Sequence, residues 1–459
     1  MLNPYFMKLR KLLILNLFLI VTMAGCSQEN NVDPLRQWSS YRGNYAAGFL
    51  DGVGLPLEWN VEDMTAVKWK VPVPGLALSS PVIWGDRVFI TTAISETDTS
   101  GLRTFFSGDV TPVGDDSEHE WKVYCIDRQN GKILWERTSF TGVPEIRRHP
   151  MSTHANTSVA TDGEHVVALF GSEGIYCYDM EGNLEWSKDF GVLRSAFFVA
   201  EDAEWEFASS PIIHKGRVIV QCDVLENSFV AALDIKTGNE IWRSERDEYP
   251  GWSTPNIYNY DGTDYVVVNG FKHRGAYNYE TGEERWRMSG GGDIPIPTPI
   301  VSEDMIYFNS AHGRSSPILA VRKNATGDIT LSDGDTTNAG ITWSYPRGGS
   351  YMQTMLLYDG YLYNLQFNGQ VVCMDPITGK TIYREKIGKA DSFLASPVAA
   401  DGILYIIDVK GIVYMVAAGP EFRITGEMAL GDVFMTTPAI TEGMIIFRTE
   451  KYLIAVSDK

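Results

Sequence analysis

The chain has 459 residues, 43 of them glycine, with 12 % aromatic content and a formal net charge of −19. That acidity argues against a nucleic-acid partner, because the chain repels phosphate. A hydrophobic fraction of 44 % excludes disorder, and the glycine and aromatic surplus favours strands and tight turns over an ordinary α/β enzyme.

The first element is an export signal. Lys8, Arg10 and Lys11 precede an apolar run from Leu12 to Val21, and Met23-Ala24-Gly25-Cys26 follows. The run is too short and wrongly flanked to span a membrane. Its end resembles a bacterial lipobox. Residues 1–25 are therefore predicted to be a lipoprotein signal peptide, Cys26 the lipidated residue, and 26–37 a polar tether to the membrane. Ser27 after the cysteine points to the outer membrane, on the periplasmic side. Loss of the leader removes three cations and no acid, leaving a net charge of −22.

From residue 38 onward one phrase recurs: a strand, a turn ending in glycine, then an aromatic residue. It reads YCIDRQNGKILW to Trp135, YCYDMEGNLEW to Trp186, AALDIKTGNEIW to Trp242, AYNYETGEERW to Trp286 and VCMDPITGKTIY to Tyr383. The turn glycines are Gly131, Gly182, Gly238, Gly282 and Gly379, with weaker copies at Gly327 (an insertion before Trp343) and Gly419. Spacings of 40 to 56 residues match one four-stranded propeller blade. A second phrase, a small hydroxyl residue plus Pro, marks the innermost strand at Ser80, Ser210, Thr254, Thr298, Ser396 and Thr437. Thr157-Ser158 and Thr354-Met355 are variants, which makes eight. The last unit ends after three strands, and the missing outer strand is supplied around Trp69. The expected fold is all-β: a single eight-bladed β-propeller over 38–459, made of four-stranded antiparallel blades. Pairing of the N-terminal strand with the C-terminal blade closes it and removes an open edge.

Cys125, Cys177 and Cys373 occupy one repeat position, so they are too far apart to bond. With Cys222 they are expected to be buried free thiols. No CxxC or CxxCH motif is present.

DIKTGNEIW and its sister phrases resemble the tryptophan-docking repeat of quinoprotein-type (PQQ-like) propellers, over nearly the whole mature chain. With the lipobox, the chain is also similar to BamB-like lipoproteins of the outer-membrane β-barrel assembly machinery. Longer stretches such as SGGGDIPIPTP and SYPRGGSYMQT read like PQQ-like repeat proteins too. The resemblance to quinoprotein dehydrogenases implies an axial PQQ stacked between a tryptophan and a disulfide of adjacent cysteines, beside calcium and a catalytic Asp. Adjacent cysteines are absent here, and so is a haem motif.

The loops that lead into each inner strand share one face with the loops between second and third strands. That face is rich in chemistry. RRHPMSTHANTS brings Arg147, Arg148, His149 and His154; DEYPGWSTP brings Trp252; SGGGDIPIPTP brings Asp293; and YPRGGSYMQT brings Arg347, Tyr351 and Gln353. GFKHRG adds Lys272 and His273, and SAHGRSSP adds His312 and Arg314. This set predicts a pocket or docking surface at the channel mouth for an anionic or carbonyl-bearing ligand, or for a protein partner. The competing reading is loops that hydrogen-bond one another. His149, His154, His312 and Asp293 are the only acid–base candidates; no nucleophile elbow, P-loop or HExxH motif and no metal set accompanies them. The 92–120 insertion falls on the same face, as a lid or partner-binding arm.

The functional expectation is a monomeric, membrane-anchored, non-catalytic scaffold that binds an envelope protein or a small anionic ligand. The alternative is a quinone (PQQ)-dependent or related oxidoreductase, with calcium, at the channel mouth. Cys26→Ser should release the protein from the membrane to the soluble envelope fraction, read by fractionation and immunoblot.

Overall fold

The repeat unit starts from its turn. In the phrase ending at Trp242, Asp234 Oδ1 accepts the amides of Lys236 and Thr237 and the Thr237 hydroxyl at 2.9–3.1 Å. Gly238 then takes φ +67°, a conformation that side chains resist. Asp127 and Asp375 hold the same turn in other repeats. Each turn joins a third strand to a fourth, and successive hairpins build a four-stranded antiparallel sheet.

The computed structural model describes residues 32–97, 101–105, 108–292, 294–312, 315–388 and 392–458. The leader, Cys26, Asp293 and Arg314 lie outside them. Eight blades follow in chain order: blade 1 (82–142), blade 2 (160–188), blade 3 (212–245), blade 4 (256–289), blade 5 (300–345), blade 6 (356–386), blade 7 (398–429) and blade 8 (439–456). Val67–Pro72 pairs antiparallel with Tyr452–Val456 and supplies the fourth strand of blade 8, as the sequence predicted. The core is spread between blades rather than gathered at a centre. Val167, Val218 and Val220 pack blade 2 on blade 3, and Val267, Phe308 and Val321 pack blade 4 on blade 5.

Two concentric sets of hydrogen bonds join neighbouring blades. At the axis, the amide of the inner-strand hydroxyl residue donates to the hydroxyl of the next blade at every joint except that between blades 4 and 5. Ser80 donates to Ser158, Ser158 to Ser210 and Ser210 to Thr254. Thr298 donates to Thr354, Thr354 to Ser396, Ser396 to Thr437, and Thr437 back to Ser80, all at 2.8–3.4 Å. At the rim, Trp69, Trp135, Trp186, Trp242 and Trp343 donate Nε1–H to Arg128, Met180, Ile235, Tyr279 and Pro376 carbonyls of the next blade, at 2.6–2.9 Å. Each indole lies over the next blade's turn glycine, where an added Cβ would approach to 2.5–2.9 Å. The glycine is thus required twice, by its backbone angle and by the ring above it.

The joint between blades 4 and 5 breaks both patterns. Thr298 Oγ1 has no partner among the described residues. Trp286 donates to the Tyr258 hydroxyl at 3.1 Å instead of to a turn carbonyl, and Gly327 stands in open space. The insertion before Trp343 accounts for this. It carries Gly327–Asp328 back to the edge of blade 4, where they pair in parallel with Trp286 and Arg287. Ile329 and Leu331 then pack in the cluster that contains Trp286.

The N-terminal segment before Val67 closes the far end of the axis. Buried Arg42 donates to the carbonyls of Pro397 and Met355, one residue beyond the hydroxyl belt in each inner strand. Tyr41 reaches Ser396 Oγ at 3.3 Å. All four cysteines of the ring are free and buried, and burial pushes the Cys125 and Cys373 thiols up to about 12.

The glycine geometry yields a paired expectation. Gly238→Ala drives a methyl into Trp186 at positive φ and should destabilise by roughly 2–4 kcal/mol. Gly327→Ala, also at positive φ but with nothing within 4 Å, should cost only about 1 kcal/mol. Denaturant titration of the two variants checks this.

Candidate functional site

Above the hydroxyl belt the mouth loops surround a cavity of about 160 Å³ on the propeller axis. Its floor is Tyr41. Its base is the belt itself: Ser80, Ser158, Ser210, Thr254 and Thr437. The walls are Met151, Trp205, Trp252, Ile294, Ile296, Tyr351, Met352, Leu394 and Met435, with Leu78, Ala208, Ser152, Asn156 and Thr436 completing them. No charged side chain is among these described lining residues.

The walls are held rigidly. Trp252 Nε1 donates to the Glu206 carbonyl at 2.9 Å. His149 stacks on Trp205 with centroids 3.7 Å apart. Burial, helped by the Arg103 guanidinium, lowers the His149 imidazole to about 4, so it is neutral at ordinary pH. Burial likewise raises the Tyr351 phenol to about 12.

The sequence predicted a basic, histidine-bearing mouth, and the structure compensates most of that charge internally. Arg147 makes a bidentate pair with Asp116, both bonds 2.8 Å. Arg148 is buried and donates to the carbonyls of Ser152 and Gly101. His154 Nδ1 lies 2.9 Å from Glu206 Oε2. Lys272 bonds Asp247 at 2.5 Å and lies over the Tyr249 ring. The His273 amide donates to Glu248, and His312 packs between Phe197 and Tyr351. Buried Gln353 donates to the Phe393 carbonyl and so bridges blades 6 and 7. Arg347 is exposed, and among the described residues no hydrogen bond or ion pair reaches it. Of the described candidates, only Trp252 and Tyr351 line the cavity. The described cations of the candidate set lie outside the axial cavity: Arg147 and Lys272 pair with Asp116 and Asp247, which sequence spacing did not connect to them, and Arg148 serves loop carbonyls.

Several residues that shape the mouth escaped the sequence reading. A hairpin of Ala196–Phe197 and Ala200–Glu204, between blades 2 and 3, carries Phe198 onto Tyr249 (4.5 Å, stacked) and Phe271 (4.9 Å), with Val199 exposed at its tip. FFV was the available signal, but it matched neither repeat phrase. Buried Arg246 bonds Asp223 at 2.6 Å, Glu248 at 3.2 Å and the Tyr277 hydroxyl at 2.8 Å, which fixes the loops on either side of Tyr249. Burial lifts the Glu248 carboxyl to about 7 against the pull of Arg246. The described parts of the 92–120 insertion lie along the rim. Arg103 N donates to Pro150 O, Val113 N to Arg148 O and Leu102 N to Glu450 Oε1.

The axial position is where the quinoprotein resemblance would place PQQ and calcium. The described lining does not fit them. PQQ carries three carboxylates and calcium needs six to eight oxygen ligands, several of them acidic; the lining offers neither cation nor carboxylate. Among the described residues no group of three His, Cys, Asp or Glu converges to hold a metal ion.

Comparisons with known proteins give a consistent picture. The family described as "Outer membrane protein assembly factor BamB" matches residues 119–254 and 226–459. A protein of that name from Yersinia pestis is 23 % identical over 439 residues, covering 89 % of this chain and 99 % of that one. Among solved structures, BamB from Moraxella catarrhalis aligns with TM-score 0.53 at 14 % identity, covering 80 % of this chain and 100 % of that one. Quinohemoprotein alcohol dehydrogenase from Comamonas testosteroni aligns with TM-score 0.62 at 12 % identity, covering 94 % and 82 %. At those identities the two structures speak to fold alone.

A buried acid beside the mouth provides a pH test. Burial, then repulsion from Glu206, raises the Glu173 carboxyl from the usual 4.5 to about 9. The folded chain keeps this proton up to about pH 9, whereas the unfolded chain loses it near 4.5. Native stability therefore falls as pH rises through that window. Glu173→Gln keeps the acceptor for the Glu145 amide and does not titrate. Its melting temperature should exceed that of the parent by a margin that grows from pH 5 to pH 9.

Proposed function

The chain belongs to the family of outer membrane protein assembly factor BamB, and from that premise we propose that it is a non-catalytic scaffold of the bacterial envelope, anchored through Cys26, that docks protein partners during outer-membrane protein assembly. The observation that carries this reading is the family match together with the near-complete span of a relative that bears that name. The site supports it in three ways. Arg147 and Lys272 at the rim are engaged with Asp116 and Asp247 rather than aimed at a substrate. The axial cavity ends at Tyr41 and is lined by apolar walls over a belt of hydroxyls, with no charged side chain among its described lining. The mouth also carries a half-buried aromatic cluster of Phe197, Phe198, Tyr249 and Phe271, with exposed Val199 at the hairpin tip. Aromatic anchors beside a polar rim are what a protein interface uses. The oxidoreductase alternative draws on the same fold, but the described axial lining supplies no cation to pair with the quinone carboxylates.

Depletion of the protein in its host should lower the amount of folded β-barrel protein in the outer membrane, read by heat-modifiability on gels. Phe198→Asp combined with Val199→Asp should reproduce the defect while the purified domain melts at its usual temperature. Depleted cells that fold their barrels at the normal rate would refute the proposal.

A further inference from the structure

The axial cavity has a chemistry of its own, separate from the rim. Its walls are apolar and fixed: Trp252 is tied by its indole N–H, Trp205 is backed by His149, and Met151, Leu394 and Met435 belong to one packed cluster. Its base is different. Ser80, Ser158, Ser210, Thr254 and Thr437 each accept an amide from the neighbouring blade. Among the described residues no hydrogen bond donated by these five hydroxyls is found, so their O–H groups are available to the cavity they line. Tyr41 blocks the way onward.

These features define a ligand. Volume sets the size: about 160 Å³ is room for one ring, since a cavity of about 150 Å³ holds benzene. The lining sets the charge, because a buried ion needs a partner and the described walls have none to give. The base sets the polarity, because unengaged hydroxyl donors favour an acceptor at the deep end. We propose that the axial cavity is a binding site for a small uncharged molecule with an apolar, ring-sized body and one hydrogen-bond acceptor directed at the hydroxyl belt.

Three probes of equal shape test this on residues 27–459, which contain the whole ring and its closing strand: acetophenone, ethylbenzene and benzoate. Titration calorimetry supported by saturation-transfer NMR should show saturable binding of acetophenone. Ethylbenzene, which lacks the acceptor, should bind about five-fold more weakly, and benzoate at least about ten-fold more weakly. Met352→Trp fills the cavity from its wall and should abolish acetophenone binding; Met435→Trp serves the same purpose should the first variant fail to fold. Benzoate binding as tightly as acetophenone, ethylbenzene matching acetophenone, absence of saturation, or unchanged binding in a folded filled variant would each overturn the proposal. Barrel assembly in cells carrying Met352→Trp separates this site from the scaffold reading: if assembly continues while acetophenone binding is lost, the two sites are independent.

Discussion

A ring of blades has no end at which an error can be absorbed, so every joint must close at the same radius. Here closure is enforced by hydrogen bonds whose two partners always come from different blades. The inner circle links backbone amides to Ser and Thr hydroxyls. The outer circle links indole N–H groups to turn carbonyls and seats each indole on a glycine. A buried amide left without an acceptor is costly, which makes the small hydroxyl residue at each inner strand a requirement of the ring as well as a matter of space. The outer link of the last joint depends on Val67–Pro72, which returns to blade 8 and carries Trp69. The mouth loops inherit their positions from this frame.

The one joint that lacks both links shows how the ring tolerates an interruption. Between blades 4 and 5 the chain replaces an axial bond and a docked tryptophan with a strap. Gly327–Asp328 pairs with the outer edge of blade 4, Arg285 Nε reaches the Ala325 carbonyl at 3.1 Å, and the Ser289 amide reaches Thr330 Oγ1 at 2.9 Å. The contact has moved outward, from the axis and turn to the exposed strand edge. That same edge would otherwise present unpaired backbone groups to another chain.

The mouth shows a second principle. Arg147 and Lys272 there pair with acids within the loops, and the buried acids Glu173 and Glu248 are pushed upward by desolvation. Charge is thereby spent on holding loops in place, and what faces the axis is neutral: indoles, thioethers, a phenol and the hydroxyl belt. A rigid apolar well inside a chain of strongly negative net charge is the result. The proposed partner docking at the aromatic cluster and the proposed small-ligand binding in the well draw on different residues of the same frame.

Legibility divided along this line. Blade number, the docking tryptophans, the turn glycines and the closing strand were readable, because a repeat writes the same local physics many times: Asp at the turn start, Gly at positive φ, an aromatic a fixed distance on. The exceptions were local too: Gly327 resembled a turn glycine yet serves a strap, since nothing in its own neighbourhood reveals where the insertion travels. The site was legible only in part. Trp252 and Tyr351 were found because aromatic residues in mouth loops have few other uses, whereas Trp205 and Phe198 sat in a hairpin with no repeat counterpart. The pairing of Arg147 with Asp116 and of His154 with Glu206 brings together residues 31 and 52 positions apart. Sequence by itself determined the eightfold ring, because periodicity is a property of the chain. Only the tertiary structure decided whether the mouth is charged or neutral, because a charge acts through whichever opposite charge the fold places beside it, and that distance is not encoded in spacing along the chain.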